Sequence, residues 1–377
     1  MNTRPPLETT SLPVVLSITF NDDCSCFAVG LNTGFRIFSS ETCTQTTARE
    51  FNAGIGLVQM MGKANYLGVV GGGRKPKFAA NKLILWDEGK SKSALDISAL
   101  TPVRGAQLSK ERIVVVLQNS VRVYKFAKPP SFITAYETAN NPLGLCRMSP
   151  RIIAFPGRSV GHVQVVEIAT SNVSIIPAHS SAIRALQLSP DGELLATASE
   201  TGTLIRVFST RTCAKLAELR RGIDPAAIFS LAFNPPGTML ACTSDKSTLH
   251  VFDMPKAKRL GGQHEDVAPE TTNDQGKWGI LSKIPGMPRF VKDTYSFAQE
   301  SFATGDEPSG ANQLLSESST LGTMRLPKGV IGWLDDASLL VVGAGTDARW
   351  EKFIIKDEGS GKRSLAKAGW KRYLADN

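Results

Sequence analysis

The chain has 377 residues, of which 42% are hydrophobic and 20% are charged. This composition is typical of a globular protein and excludes a disordered one, and the length suffices for one large domain or two ordinary ones. The formal net charge is +9, so anionic partners are expected, whether nucleic acid, acidic membrane or phosphorylated ligands.

The amino terminus lacks the apolar run of a secretory signal, and no stretch approaches the ~20 apolar residues of a membrane-spanning helix. We therefore expect a soluble, cytoplasmic protein that can still associate with a membrane surface. Six cysteines lie scattered through strand-like segments and are expected to be reduced. Cys24 and Cys26 lack both zinc spacing and a second ligand pair, so no metal or other cofactor is expected.

One pattern recurs along the chain: a short strand, a polar turn, an apolar strand, a glycine-containing turn, and a strand that ends near an aromatic residue. The fifth copy is the clearest. The seven copies cover residues 17–38, 66–87, 104–124, 144–168, 183–208, 228–253 and 329–355.

The copies follow one another at about 40–45 residues, the period of a four-stranded propeller blade. Seven copies predict an all-β, seven-bladed β-propeller that forms a single domain over residues 1–377. Only Trp86-Asp87 preserves the WD dipeptide, so the repeats are degenerate WD-type repeats. A two-sheet sandwich would not produce this period.

The sixth and seventh copies are separated by residues 254–328, much of which must be one long insertion. Because the sixth blade still lacks its outer strand, we expect residues 296–303 to supply it. We expect the basic, aromatic tail at residues 362–373 to complete the last blade.

The stretch Leu219-Arg220-Arg221-Gly222 follows a short strand with alternating apolar and polar residues. Successive side chains of a strand point to opposite faces, so Arg220 and Arg221 are predicted to diverge and to serve two different pockets. A guanidinium suits phosphate oxygens. The alternative is a pair of solvated surface arginines.

The repeats on either side of this pair carry polar side chains at similar offsets. Hydroxyl groups can donate to phosphate or inositol oxygens, and Arg and His supply positive charge. Single residues of this kind often make structural hydrogen bonds in WD-type repeats, but the combination favours a binding site. The fifth repeat contributes His179, Thr197, Ser199, Gly202, Thr203 and Arg206. The sixth contributes Ser244, Thr248 and His250.

These segments together resemble the PROPPIN family, the WIPI-like β-propellers that bind polyphosphoinositides in autophagy. The Leu-Arg-Arg-Gly motif and the short chain look like the shorter branch of that family. The resemblance implies two head-group pockets on the propeller rim. Site 1 would comprise His179, Thr197, Ser199, Gly202, Thr203, Arg206 and Arg220. Site 2 would comprise Arg221, Ser244, Thr248 and His250.

The insertion carries large apolar residues among lysines and arginines, a composition that suits an anionic membrane interface. The alternative is that this segment packs inward on the sixth blade. The residues expected to enter the membrane are Trp278, Ile280, Leu281, Ile284, Met287 and Phe290.

The resemblance implies a peripheral membrane effector of phosphatidylinositol 3-phosphate and phosphatidylinositol 3,5-bisphosphate. It also implies a monomer that recruits an autophagy lipid-transfer protein at preautophagosomal, endosomal or vacuolar membranes, without binding nucleic acid. The rival is a generic WD-type scaffold whose basic rim binds acidic peptides or nucleic acid. An enzyme is disfavoured because the sequence shows no nucleophile–base pair, paired catalytic carboxylates or metal cluster.

Overall fold

The structure is a computed structural model that describes residues 13–254, 294–303, 328–344, 347–359 and 361–375. These ranges form seven sheets, and the innermost strands of neighbouring sheets adjoin around a ring. The predicted seven-bladed propeller is therefore confirmed. No helix that could cross a bilayer occurs in the described ranges.

Each blade is an antiparallel sheet whose strands run in chain order from the centre of the ring to its edge. Blade 1 consists of β1 (Val15–Phe20), β2 (Cys26–Leu31), β3 (Gly34–Ser39) and β4 (Gln45–Glu50). Blade 2 consists of β5 (Ile55–Met60), β6 (Tyr66–Gly71), β7 (Lys82–Asp87) and β8 (Lys92–Ser98). Blade 3 consists of β9 (Gly105–Leu108), β10 (Arg112–Val116), β11 (Ser120–Lys125) and β12 (Ser131–Glu137).

The remaining blades follow the same plan, with one addition in blade 5. Blade 4 consists of β13 (Arg147–Met148), β14 (Ile152–Pro156), β15 (His162–Glu167) and β16 (Val173–Pro177). Blade 5 consists of β17 (Ile183–Leu188), β18 (Leu194–Ser199), β19 (Leu204–Ser209), β20 (Lys215–Arg220) and the added β24 (Thr294–Tyr295). Blade 6 consists of β21 (Ile228–Phe233), β22 (Met239–Ser244), β23 (Thr248–Asp253) and β25 (Ala298–Ser301). Blade 7 consists of β26 (Val330–Trp333), β27 (Ser338–Val342), β28 (Arg349–Asp357) and β29 (Arg363–Arg372).

Apolar side chains on facing blades hold the ring together. The buried residues form seven clusters, and each cluster lies between two neighbouring blades. The inner strands are covered on both faces, which explains why β22 is buried at every position. The outer strand β4 (QTTARE) is largely exposed and correspondingly polar.

The ring closes between blades 7 and 1 without exchanging a strand, because each of these blades takes all four strands from one continuous segment. Side chains make the junction instead. Tyr373 packs edge-on against Phe27 and Phe38, with centroid distances of 5.6 and 5.4 Å. Trp350 donates its indole N–H to the Ser40 carbonyl over 2.8 Å. The strand β29 thus completes blade 7, as the tail sequence predicted.

The insertion between blades 6 and 7 contributes two strands. The strand β25 pairs with β23 and forms the outer edge of blade 6, which confirms the prediction for residues 296–303. The short strand β24 pairs in parallel with β20 of blade 5, where Tyr295 lies opposite Arg220; no sequence pattern indicates this pairing. The six residues expected to enter the membrane, from Trp278 to Phe290, lie outside the described residues.

Candidate anion-binding grooves on the rim

One position is repeated in all seven blades, directly after the outer strand or one residue beyond its end. Its backbone N–H donates to the carbonyl of the residue that precedes the third strand, at 2.8–3.2 Å. We call this the rim position. Its occupants, from blade 1 to blade 7, are Phe51, Ala99, Thr138, His179, Arg221, Phe302 and Tyr373. Among these seven residues, only His179 and Arg221 carry a basic side chain.

A second repeated position is the third residue of the third strand, which faces the preceding blade. Arg206 shows the orientation, because its Nη1 donates over 2.7 Å to the Ala178 carbonyl of blade 4. We call this the pocket position. Its occupants, from blade 1 to blade 7, are Arg36, Ile84, Arg122, Gln164, Arg206, His250 and Glu351.

A groove between two blades joins the rim residue of one blade to the pocket residue of the next. In the groove between blades 4 and 5 these residues are His179 and Arg206, and between blades 5 and 6 they are Arg221 and His250. Each of the other five grooves has an apolar, aromatic or hydroxyl side chain at the rim position. Among the residues that the structure describes, only these two grooves of the seven therefore combine basic side chains at both positions, and they hold the residues predicted for sites 1 and 2.

Site 1 is built around His179, which is half-buried. Its Nε2 lies 3.0 Å from Oγ1 of Thr197, a residue with no exposed surface on the second strand of blade 5. Thr197 also lies opposite Arg206 in the β18–β19 pairing. The histidine, the hydroxyl and the guanidinium of site 1 therefore meet in one groove.

This groove also holds a carboxylate that was not predicted from the sequence. Glu218 of β20 lies opposite Arg206 and accepts a hydrogen bond of 2.8 Å from its Nε. Lys215 donates to the same carboxylate over 3.0 Å. Burial opposes ionisation, but the bonds from Arg206 and Lys215 lower the pKa of Glu218 overall. An anion entering site 1 therefore meets an arginine that is already partly neutralised.

The two arginines of the motif lie on different sides of blade 5. Arg220 is two residues beyond Glu218 on the same strand, so alternation places it on the face of Arg206 and site 1. Leu219 belongs to the apolar cluster shared with blade 6, and Arg221 follows on that side, close enough to His250 for its charge to lower the pKa of the imidazole. The strand register therefore places Arg220 toward blade 4 and Arg221 toward blade 6, and the division of the two side chains between two pockets stays a prediction.

Arg221 is 8% exposed and is held by the backbone around it. Its Nε donates over 3.1 Å to the carbonyl of Gly202, and Nη2 donates to the Asp224 carbonyl. Its own N–H bonds the Thr203 carbonyl. Gly202 and Thr203, assigned to site 1 from the sequence, thus also fix the central arginine of site 2.

Any residue other than glycine at position 202 would strain the backbone. Its φ is +61°, and a Cβ atom would lie 1.7 Å from the Ala226 carbonyl oxygen. The turn from Ser199 to Gly202 is closed by a backbone bond of 3.0 Å and by the hydroxyl pair of Ser199 and Thr201 at 2.9 Å. This turn holds in place the Gly202 carbonyl to which Arg221 donates.

Site 2 places the imidazole of His250 between two hydroxyl groups. Its Nε2 lies 3.1 Å from Thr248 Oγ1, and its Nδ1 lies 3.1 Å from Ser296 Oγ. Ser296 comes from the insertion and was not predicted as a site residue. The sequence indicates Ser296 only indirectly. It lies in the segment expected to form the outer strand of blade 6, and that strand must pair with β23.

Several predicted hydroxyls are buried and already bonded. Thr197 and Ser244 have no exposed surface, and Ser199 is 3% exposed. The Oγ of Ser244 accepts the Lys246 N–H at 3.4 Å within the β22–β23 turn. In this structure these hydroxyls shape the walls of the grooves, whereas Thr203, Arg206 and Arg220 are partly exposed at their mouths.

Both histidines are neutral at pH 7. Burial lowers the pKa of His179 to about 4, with the Arg206 charge acting in the same direction. Burial likewise lowers the pKa of His250 to about 4, assisted by the Arg221 charge. The negative charge of a bound phosphate would offset the effect of the arginine charges and raise the two pKa values.

Metal and thiol chemistry have no support in the part of the chain that the structure describes. Among these residues, no three His, Cys, Asp or Glu side chains come together as a metal ion would require. All six cysteines are unpaired, and burial raises the pKa of Cys146 and of Cys242 to about 12. Neither of these two thiols is poised as a nucleophile.

A sequence model of the PROPPIN family matches residues 14–279, which is most of the chain. The chain belongs to the PROPPIN family. The resemblance carried by the Leu-Arg-Arg-Gly motif is thereby confirmed, and the protein stands among phosphoinositide-binding β-propellers associated with autophagy. Propellers of this family are generally non-enzymatic scaffolds.

Relatives of similar length support the assignment. SVP1-like protein 2 of Neurospora crassa is 49% identical over 424 residues, an alignment that covers 99% of this PROPPIN and 99% of the relative. SVP1-like protein 2 of Emericella nidulans is 52% identical over 315 residues, covering 84% and 99% of the two chains.

Solved structures agree on the fold. Kluyveromyces lactis Hsv2 superposes with a TM-score of 0.75 at 21% identity and covers 96% of this chain and 99% of its own. The KlAtg21 chain of a complex with the coiled coil of AgAtg16 gives a TM-score of 0.67 at 19% identity, covering 95% and 99%. At these identities the likeness concerns the architecture.

Proposed function

We propose that this PROPPIN binds phosphatidylinositol 3-phosphate and phosphatidylinositol 3,5-bisphosphate through sites 1 and 2. One observation carries the proposal: two consecutive grooves, and none of the other five, have basic residues at both the rim and the pocket positions. Guanidinium groups form charge-assisted hydrogen bonds with phosphate oxygens, and a histidine that becomes protonated beside the bound phosphate does the same. The net charge of +9 favours the approach to an anionic membrane.

The residues divide into two roles in this proposal. Arg206, Arg220 and His179 contact the head group in site 1, and Arg221, His250 and Thr248 do so in site 2. The more deeply buried Thr197, Ser199 and Ser244 hold the imidazole and the turns in position, while Gly202 and Thr203 fix Arg221. Glu218 disfavours ligands of low charge, because a phosphate must compete with it for Arg206.

Two sites of moderate affinity on one membrane-facing edge act together, because the second binding event is intramolecular once the first has occurred. The apolar residues of the insertion, with Trp278 and Phe290 at either end of the predicted set, would add contact with the same bilayer. We propose that the bound monomer recruits autophagy machinery, including a lipid-transfer protein, at preautophagosomal, endosomal or vacuolar membranes.

The test is flotation with liposomes that contain phosphatidylinositol 3-phosphate, compared with liposomes of matched charge made with phosphatidylserine. Wild type should float selectively with the first. Arg220→Thr and Arg221→Thr should each weaken flotation, and the double variant should abolish it. Arg122→Thr is the matched control, because Arg122 occupies the pocket position of blade 3 without a basic rim residue opposite it.

The rival function, a WD-type scaffold, predicts a different result. Flotation would then be weak, equal on both liposomes and indifferent to Arg220 and Arg221. Equal effects of Arg122→Thr and Arg220→Thr would also contradict the proposal, because they would reduce the interaction to net charge.

A further inference from the structure

Blade 7 carries an exposed tryptophan between two arginines. Trp370 on β29 is 50% exposed. The guanidinium carbon of Arg349 lies 4.5 Å from the centroid of its ring, and that of Arg372 lies 5.9 Å from it. Both arginines form ion pairs with Asp347. The indole is therefore held in a fixed place at the surface by two cation–π contacts.

The strand register relates this cluster to the proposed lipid sites. Arg372 precedes the rim residue of blade 7 and pairs with Arg349, the first residue of the third strand. Arg220 has the same relationship to Leu204 in blade 5. Since equivalent residues of a propeller lie at the same height on the ring, Arg372 and Arg220 point from the same level of the rim.

The cluster also faces blade 6, the blade that forms the far side of site 2. Trp370 lies opposite Glu351, the pocket residue of blade 7, and Glu351 accepts the Ala303 N–H from blade 6 at 2.8 Å. The tryptophan thus stands at the groove between blades 6 and 7. Counting from site 1, the grooves between blades 4 and 5, 5 and 6, and 6 and 7 are consecutive.

The third groove is not a third head-group pocket. Its rim residue is Phe302, which packs in the apolar cluster between the two blades. Its pocket residue Glu351 is 1% exposed and pairs with Lys367 at 2.5 Å. A carboxylate at the pocket position repels a phosphate, so any membrane contact here must be made by the side chains outside the groove.

We propose that Trp370, with Arg349 and Arg372, is an anchor for the interface of an anionic bilayer. Tryptophan prefers the head-group region of a membrane, and arginines beside it can bond lipid phosphates. The inference rests on the proposed function, because sites 1 and 2 determine which edge of the propeller faces the membrane. Site 1 and the anchor flank site 2, one blade away on either side, so three points on one edge would set the tilt of the propeller.

The experiment uses the intrinsic fluorescence of Trp370. The chain has five tryptophans, of which Trp86, Trp333 and Trp350 are buried. The other two are Trp278 and Trp370, and replacing the first in the variant Trp278→Phe leaves Trp370 as the exposed reporter. The double variant Trp278→Phe/Trp370→Phe is the blank. Both are titrated with vesicles of brominated phosphatidylcholine and phosphatidylserine, with and without phosphatidylinositol 3-phosphate.

Quenching that is present in the single variant and absent in the blank is the expected result. Trp370→Ala should also weaken vesicle binding roughly tenfold, because the variant loses the burial of one aromatic side chain in the bilayer interface. Binding of the soluble inositol 1,3-bisphosphate head group should be unchanged. Phe132→Ala is the matched control, since Phe132 is 56% exposed on the outer strand of blade 3.

Equal quenching of the two variants on both kinds of vesicle would overturn the inference. Failure of the proposed function would look different: wild type would not distinguish vesicles with and without phosphatidylinositol 3-phosphate, whatever Trp370 does. A loss of head-group binding in Trp370→Ala would show that the residue supports the fold of the sites and would equally overturn the anchor.

Discussion

Arg206 and His250 occupy the same position in consecutive blades, and each faces a basic rim residue of the blade before it. In site 1 the arginine is on the strand and the histidine is on the rim; in site 2 the two types are exchanged. Arg206 shares its charge with Glu218 at 2.8 Å, whereas Arg221 bonds backbone carbonyls. The two grooves are therefore equivalent in position and different in electrostatics.

The first prediction follows from that equivalence. Arg206→Ala should weaken binding to liposomes with phosphatidylinositol 3-phosphate by about tenfold or more, since a hydrogen bond to a charged group contributes about 1.5–3 kcal/mol. Arg122→Ala removes the same charge from the pocket position of blade 3 and should leave binding nearly unchanged. Surface plasmon resonance on supported bilayers measures both. Similar losses in the two variants would refute the assignment of site 1.

The second prediction concerns acid stability. Both histidines have a pKa of about 4 in the folded protein and about 6.5 when unfolded. The unfolded chain therefore binds more protons between these values, so the free energy of unfolding should fall as the pH drops from about 6.5 to about 4. The loss should approach about 3 kcal/mol for each histidine.

Urea titrations at pH 7.5, 6 and 5 test this dependence. His250→Asn should remove roughly half of the pH dependence that the two histidines cause, whatever it does to stability at pH 7.5. An unchanged slope in this variant would mean that His250 is not buried as a neutral imidazole. Adding a soluble inositol phosphate should reduce the loss in wild type, because a bound anion favours the charged histidines.

The third prediction uses the two glycines near the arginine pair. Gly202→Ala introduces a Cβ at positive φ against the Ala226 carbonyl, and it should displace the carbonyl that holds Arg221. We expect a lower melting temperature and weaker lipid binding. Gly222→Ala is the control, because no described atom outside its chain neighbours lies within 4 Å of the position that its Cβ would occupy. Equal melting temperatures of the two variants would contradict the described turn.

The fourth prediction addresses ring closure. Tyr373→Ala removes the ring that packs on Phe27 and Phe38, together with a hydrogen bond of 2.9 Å to the Gly343 carbonyl. Removing a large buried aromatic should lower the free energy of unfolding by about 3–5 kcal/mol. Chemical denaturation measures the change. A variant as stable as wild type would show that other contacts close the ring.

The blades could be predicted from the sequence because the same order of strands and turns recurs and most repeats have a similar length. The strand β24 could not. Thr294 and Tyr295 make only a two-residue parallel pairing with blade 5, and so short a segment carries no periodicity. The contact between Tyr373 and Phe27 also joins opposite ends of the chain, where no local pattern reveals a partner.

The site was predictable in its residue types and less so in its geometry. The turn before the third strand is one residue longer in blade 5 than in blade 6, so Arg206 follows Ser199 by seven residues and His250 follows Ser244 by six. A fixed repeat length therefore aligns His250 with Ile205 and hides its equivalence to Arg206. Glu218 was missed because its role depends on the strand register, which places it opposite Arg206.

The junction between blades 7 and 1 has a consequence for the order of the blades along the chain. No strand crosses that junction, and apart from the added β24 the strands of each blade follow one another in sequence. A circularly permuted gene could therefore begin between two blades and keep the four-stranded sheets intact, provided that a linker joins the start of blade 1 to the end of blade 7. In evolutionary terms, a duplicated blade could be added to such a ring as a complete four-stranded sheet, because no strand has to be exchanged between the first and last blades.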